Sequence, residues 1–136
     1  MFIRFVAAAE TDDPWWADGV ITAACSLLDD GTLESYQAEV VNDSFAWFNR
    51  CLPCPPFHAG SWSRSAVCWF RPTAKEPIAR MWDLVAVLKD HDLRVRVIRT
   101  EFPGRIVYQD PFQIVAETPR PSGIRRRHQP RKLAQC

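Results

Sequence analysis

The repeat of apolar side chains along the chain changes several times, and each change marks an element. FIRFVAA, residues 2–8, is rich in aromatic and β-branched residues and predicts a first strand. Asp13-Pro14 then supply an N-cap and a proline suited to the first helical position. Trp16, Val20, Ala23, Ala24, Leu27 and Leu28 follow at spacings of three and four, predicting a helix with one buried face that stops near Asp30-Gly31. Thr32 is placed to cap a second helix from Leu33 to about Arg50. There Tyr36, Val40, Trp47 and Phe48 fall near helical spacing, and the short junction suggests an αα-hairpin.

After a proline-rich loop, the continuous apolar run AVCWF (66–70) predicts a central strand. Thr73 and Glu76 have the spacing of a capping box, with Pro77 tolerable in the first turn. Ile78, Met81, Trp82, Val85 and Leu88 then form a helical stripe up to His91, which places Trp82 in the core. RVRVIRT (94–100), RIVYQ (105–109) and FQIVAE (112–117) read as strands separated by the turn chemistry of Pro103-Gly104 and Asp110-Pro111.

The order β-α-α-β-α-β-β-β predicts an α+β domain. Its sheet should be mixed but largely antiparallel, of about five strands, with three helices mainly on one face. The β-α-β unit predicts parallel second and third strands with a right-handed crossover. Tight turns predict an antiparallel meander of the last three strands. The domain should end near residue 118, and residues 119–136 read as a basic, Pro/Arg-rich tail.

Composition narrows the classes. A chain of 136 residues, 47% hydrophobic and 24% charged, has the makings of one folded domain rather than a disordered chain. No apolar run approaches the ~20 residues of a membrane span. The apolar start is interrupted by Arg4, which argues against a secretory leader. Five cysteines without a regular framework favour a reducing cytoplasm.

The net charge of +1 conceals a gradient. Residues 1–47 carry nine acids against one arginine, a balance of −8; residues 48–118 carry ten bases and seven acids, or +3. The tail adds +6 with no acid. An acidic body with a basic tail bears on partners rather than on fold.

CLPCPPFH (51–58) is the main chemical candidate. Cys51, Cys54 and His58 are weak zinc candidates, one ligand short of a closed site, while Cys25 and Cys68 read as small core residues. A thioredoxin-like pair belongs at a helix N-terminus, whereas Cys51 follows a helix and Pro55-Pro56 bar another from starting. A structural loop is the favoured reading, with no metal and no cofactor. The chain has no phosphate loop, nucleophile elbow or His-Glu-x-x-His, and His91 reads as a helix C-terminal residue. Asp12 and Asp13 form a possible carboxylate pair, but Asp13 is already accounted for as a cap.

Trp15 and Trp16 point about 100° apart on a helix, so one contributes to a surface patch. Arg94 and Arg96 share one face of the third strand with Ile98; Val95, Val97 and Arg99 share the other. The ordinary explanation of such arginines is a solvated face pairing with acids on neighbouring strands.

The segments MFIRFV, LPCPPF, CWFRPTAKEPIARMWDLVAVL and PGRIVYQDPFQIVAE resemble a family of short bacterial proteins of uncharacterised function. The resemblance spans residues 1–118 and implies a common fold and a bacterial cytoplasmic protein. It brings no activity and no catalytic residues.

Three function classes stay open. The first, a non-enzymatic protein–protein interaction domain, would use Trp15, Trp16, Arg94 and Arg96 toward a protein partner or a second copy, with no membrane involved. The second is a nucleic-acid-associated protein using the strand arginines and Arg125, Arg126, Arg127, Arg131 and Lys132 of the tail, against the repulsion of the acidic body. The third is a small enzyme assembled from dispersed groups such as Tyr108, Gln113, Glu117 and the arginines.

Overall fold

The computed structural model describes residues 1–7, 18–57, 62–63 and 65–117. The first strand, β1 (Phe2–Ala7), is followed by a two-residue strand, β2 (Asp18–Gly19), and then by α1 (Val20–Asp30) and α2 (Ser35–Cys51). Next come β3 (Ala66–Phe70), α3 (Lys75–Asp90), β4 (Val95–Thr100), β5 (Arg105–Gln109) and β6 (Gln113–Glu117). This is the α+β fold expected, and all pairings among the described strands are antiparallel.

Helix boundaries follow local chemistry. Gly31 sits at φ 71° and its N–H returns to the Leu28 carbonyl at 3.2 Å, a left-handed stop that glycine adopts without a Cβ penalty. The first helix starts at Val20, since Asp18 and Gly19 pair with Ala7 and Val6 of β1; Asp13-Pro14 lie outside the described residues. The second helix is capped at Glu34 rather than Thr32, with Gln37 Oε1 accepting the Glu34 N–H at 3.0 Å. The third begins at Lys75 after Ala74, with no side-chain cap, so the Thr73–Glu76 box does not form. Pro77 falls within its first turn, where no intrahelical donor is needed.

Helix α3 is the central helix of the layer, packing against both α1 and α2. Met81, Leu84, Val85, Val87 and Leu88 are its buried face, against Val20, Ala24, Val41 and Phe48 of the other helices. From the sheet come Phe5 and Phe70, with Ile3, Val95 and Val97 partly buried beside them. Trp82 is not in that interior. It is 45% exposed, its ring edge-on to Phe5 at 5.1 Å, while Leu84 and Val87 fill the face it was expected to share. His91 follows the helix and its Nε2 lies 2.9 Å from Gln37 Oε1, joining the end of α3 to the start of α2.

The sheet departs from the expected connectivity. Strands β3 and β4 run in the same direction, but β1 lies between them: it pairs with β4 along its whole length and with β3 through Ile3 and Phe70. On the far side β3 pairs with β6, and β6 with β5. The last two strands form a hairpin, but β4 does not join them in a meander; it lies across the sheet, beyond β1.

Residues 101–104 nevertheless connect β4 to β5. Four strand spacings in a flat sheet would be about 19 Å, whereas the five steps from Thr100 to Arg105 reach at most ~18 Å. A flat sheet cannot satisfy that connection, so the sheet curls. The single β1–β3 pair marks the seam of the curl. The face away from the helices closes over a second apolar cluster, in which Phe2 and Ile98 from one side meet Trp69, Ile114 and Ala116 from the other.

Candidate functional site

Two groups of residues have chemistry beyond packing. The first lies under the proline loop. Cys68, Val115 and Tyr108 occupy matching positions on β3, β6 and β5, so their side chains share the helix-side face. Gln113, on the same face, is 1% exposed and donates from Nε2 to the Pro53 carbonyl at 2.8 Å, pinning the loop to the sheet. Phe57 stacks edge-on to Trp62 at 5.2 Å, and Trp62 lies over Tyr108 at 6.2 Å.

Asp110 organises the β5–β6 turn. Its Oδ1 accepts the N–H groups of Phe112 at 2.8 Å and Gln113 at 2.9 Å. Its Oδ2 accepts the Tyr108 hydroxyl at 2.8 Å. Arg71 fastens the turn to the end of β3, donating to the Asp110 carbonyl at 2.8 Å and to Gln109 Oε1 at 2.9 Å.

Burial, then the bond to Asp110 and its charge, push the Tyr108 phenol up to about 12. A phenol so held is a poor base at neutral pH and serves as a hydrogen-bond donor. Above the ordinary value of about 10, an unfolded tyrosine releases its proton while folded Tyr108 keeps it. Stability should therefore fall as pH rises from about 10 towards 12. Tyr108→Phe should lack that part of the alkaline loss, as measured by denaturant titrations of both proteins at neutral and alkaline pH.

Glu117 ends the same face. Its carboxylate accepts the Ser63 N–H and pairs with Arg105 at 2.6 Å, which hold it below the ordinary glutamate value, the backbone donor contributing most. Tyr108, Gln113 and Glu117 thus share one face of the sheet, each already engaged in joining the loop, the turn and the strands.

The second group is the edge formed by β4. Arg96 stands opposite Val6, Ile98 opposite Arg4, and Arg99 opposite Ile3. Among the described residues β4 pairs with β1 only, and β1 contains no acid. On β1, the neighbour of β4 among the described residues, the facing positions are apolar or, at Arg4, basic. Arg94 and Arg99 are exposed and Arg96 is half-buried. Arg4 was not recognised as part of this group from the sequence, because strand pairing between residues 4 and 98 has no local signature.

The other candidates are placed as follows. Cys51 is the last residue of α2 and, like Cys54, is exposed. His58 lies outside the described residues, as do Trp15, Trp16, Arg125, Arg126, Arg127, Arg131 and Lys132. Among the described residues, no group of three His, Cys, Asp or Glu side chains is arranged to hold a metal ion. No helix among them is long and apolar enough to cross a membrane. Comparison with protein-family models, with curated proteins and with solved structures finds no match to this chain.

Proposed function

We propose that the chain is a non-enzymatic interaction domain that takes an extended, acidic segment of a protein partner along the outer edge of β4. The observation that carries this reading is a strand that, among the described residues, is paired along one side only and carries Arg96 and Arg99 opposite the apolar Val6 and Ile3 of β1. Alternate residues of an edge strand direct backbone N–H and C=O groups outward, which an added strand can pair. Acidic side chains on one face of that strand would meet Arg96, and those on its other face Arg99. The same positive charge disfavours pairing of two copies edge to edge, which makes a different, acidic chain the better occupant.

The enzymatic alternative is less well supported, because Tyr108, Gln113 and Glu117 are spent on structural bonds. A nucleic-acid reading would use the same arginines toward phosphate, helped by the tail but opposed by the acidic first third of the chain. A bacterial cytoplasmic setting belongs to this proposal as well.

The test uses a ten-residue peptide of glutamate, valine and threonine with glutamates on both faces of the extended chain, a lysine-for-glutamate counterpart, and single-stranded DNA. The acidic peptide should bind, slow hydrogen exchange of β4 amides, and weaken at least tenfold in an Arg96→Glu/Arg99→Glu variant that melts like the parent. Binding of DNA in place of the peptide would favour the nucleic-acid reading. Binding without protection of β4 would refute this edge as the site.

A further inference from the structure

Two thiols fourteen positions apart in sequence lie on the proline loop and on β3, and Gln113 ties that loop to the sheet. Cys68 lies on the helix-side face of β3, in the row that continues through Val115 to Tyr108. Gln113 pairs with Phe70, the next residue of β3 on that face, and holds the Pro53 carbonyl at 2.8 Å. Cys54 follows Pro53 directly. On either side of it Leu52 and Pro55 are buried, so the loop is anchored at both flanks. We propose that Cys54 and Cys68, on the face of the sheet beneath the proline loop, are a thiol pair that a low-molecular-weight disulfide oxidises to an intrachain bond fastening the loop to β3.

A second observation agrees with that placement. Cys68 and, less strongly, Cys54 are both among the groups that raise the Tyr108 phenol. Exposure then assigns the order of events. Cys54 is exposed and Cys68 is half-buried, so Cys54 meets the oxidant first. Its thiolate attacks one sulfur of oxidised glutathione, the S–S bond breaks, and one glutathione leaves as thiolate. The Cys68 thiolate then attacks the Cys54 sulfur of the mixed disulfide and expels the second glutathione. Two protein thiols are oxidised, one small disulfide is reduced to two thiols, and the two protons pass to the leaving groups. The neighbouring Cys51 does not compete on this geometry, because it belongs to the last turn of α2.

Oxidation of the full chain with oxidised glutathione, followed by non-reducing tryptic mapping, tests the proposal. Trypsin leaves Cys51 and Cys54 together in peptide 51–64 and Cys68 in peptide 65–75. A Cys51→Ser variant should give these two peptides joined, two hydrogens lighter than their sum, and dithiothreitol should separate them. Cys54→Ser and Cys68→Ser should each abolish the link. The proposal is overturned if Cys51→Ser stops at a glutathione adduct on Cys54. It is equally overturned if the wild-type chain closes a bond within peptide 51–64 instead. Neither result depends on whether β4 binds a partner.

Discussion

Trp69→Ala is expected to destabilise the domain by about 3–5 kcal/mol, the range for deleting a buried large aromatic side chain. Trp69 is 1% exposed, yet it stands on the face of the sheet that carries no helix. Its burial depends on the curl that brings Phe2 and Ile98 over Ile114 and Ala116. Removing the indole leaves a cavity which the sheet can close only by tightening further, against pairings already made. Trp82→Ala provides the contrast. Its ring is 45% exposed and its main aromatic partner is Phe5, so the loss should be nearer 1–2 kcal/mol, partial burial plus one edge-to-face pair. Denaturant titrations of the two variants decide the matter. If Trp82→Ala costs as much as Trp69→Ala, the second apolar cluster does not contribute as described.

Asp110→Ala is expected to cost about 2–4 kcal/mol, because one carboxylate serves several donors that would be left without it. The N–H groups of Phe112 and Gln113 would lose their acceptor in the turn, and the Tyr108 hydroxyl its partner. Gln113 Nε2, which also reaches Asp110 at 3.4 Å, would keep Pro53. Asp110→Asn retains one oxygen for the backbone donors and should cost less than half as much. The amide nitrogen in place of Oδ2 cannot accept the Tyr108 hydroxyl and the carboxylate charge is gone, so the substitution should also lower the phenol's titration, readable by ultraviolet absorbance. Equal stability of the alanine variant and the parent would mean that the turn is set by Pro111 and the strands alone.

The hairpin itself was legible in the sequence: Asp110-Pro111 between two apolar strands is a local signal, since turn chemistry acts over four residues. So was the strand Ala66–Phe70, and so was the stop at Gly31. Helical spacing revealed that α3 is amphipathic, but at the edge of its stripe it could not rank Trp82 against Leu84 and Val87. Rotation of a helix about its axis is decided by the shapes it packs against, and both choices satisfy the period.

The candidate site was legible only in pieces. Arg94, Arg96, Cys54 and Cys68 were visible as residue types, and the expectation that the arginines meet acids was reasonable for a strand of unknown neighbours. What surrounds them depends on pairing between distant segments. By itself the sequence determined the α+β class, the three helices, most of the strands and the turn built on Asp110, because propensity, capping and periodicity operate within a few residues. Only the tertiary structure decided that β1 enters between β3 and β4, placing Arg4 beside the β4 arginines. It alone decided that a short connection curls the sheet over Trp69, and that Gln113 pins the proline loop to the sheet. Those choices rest on chain closure and on burial summed over the whole domain, and neither leaves a mark at any single position of the sequence.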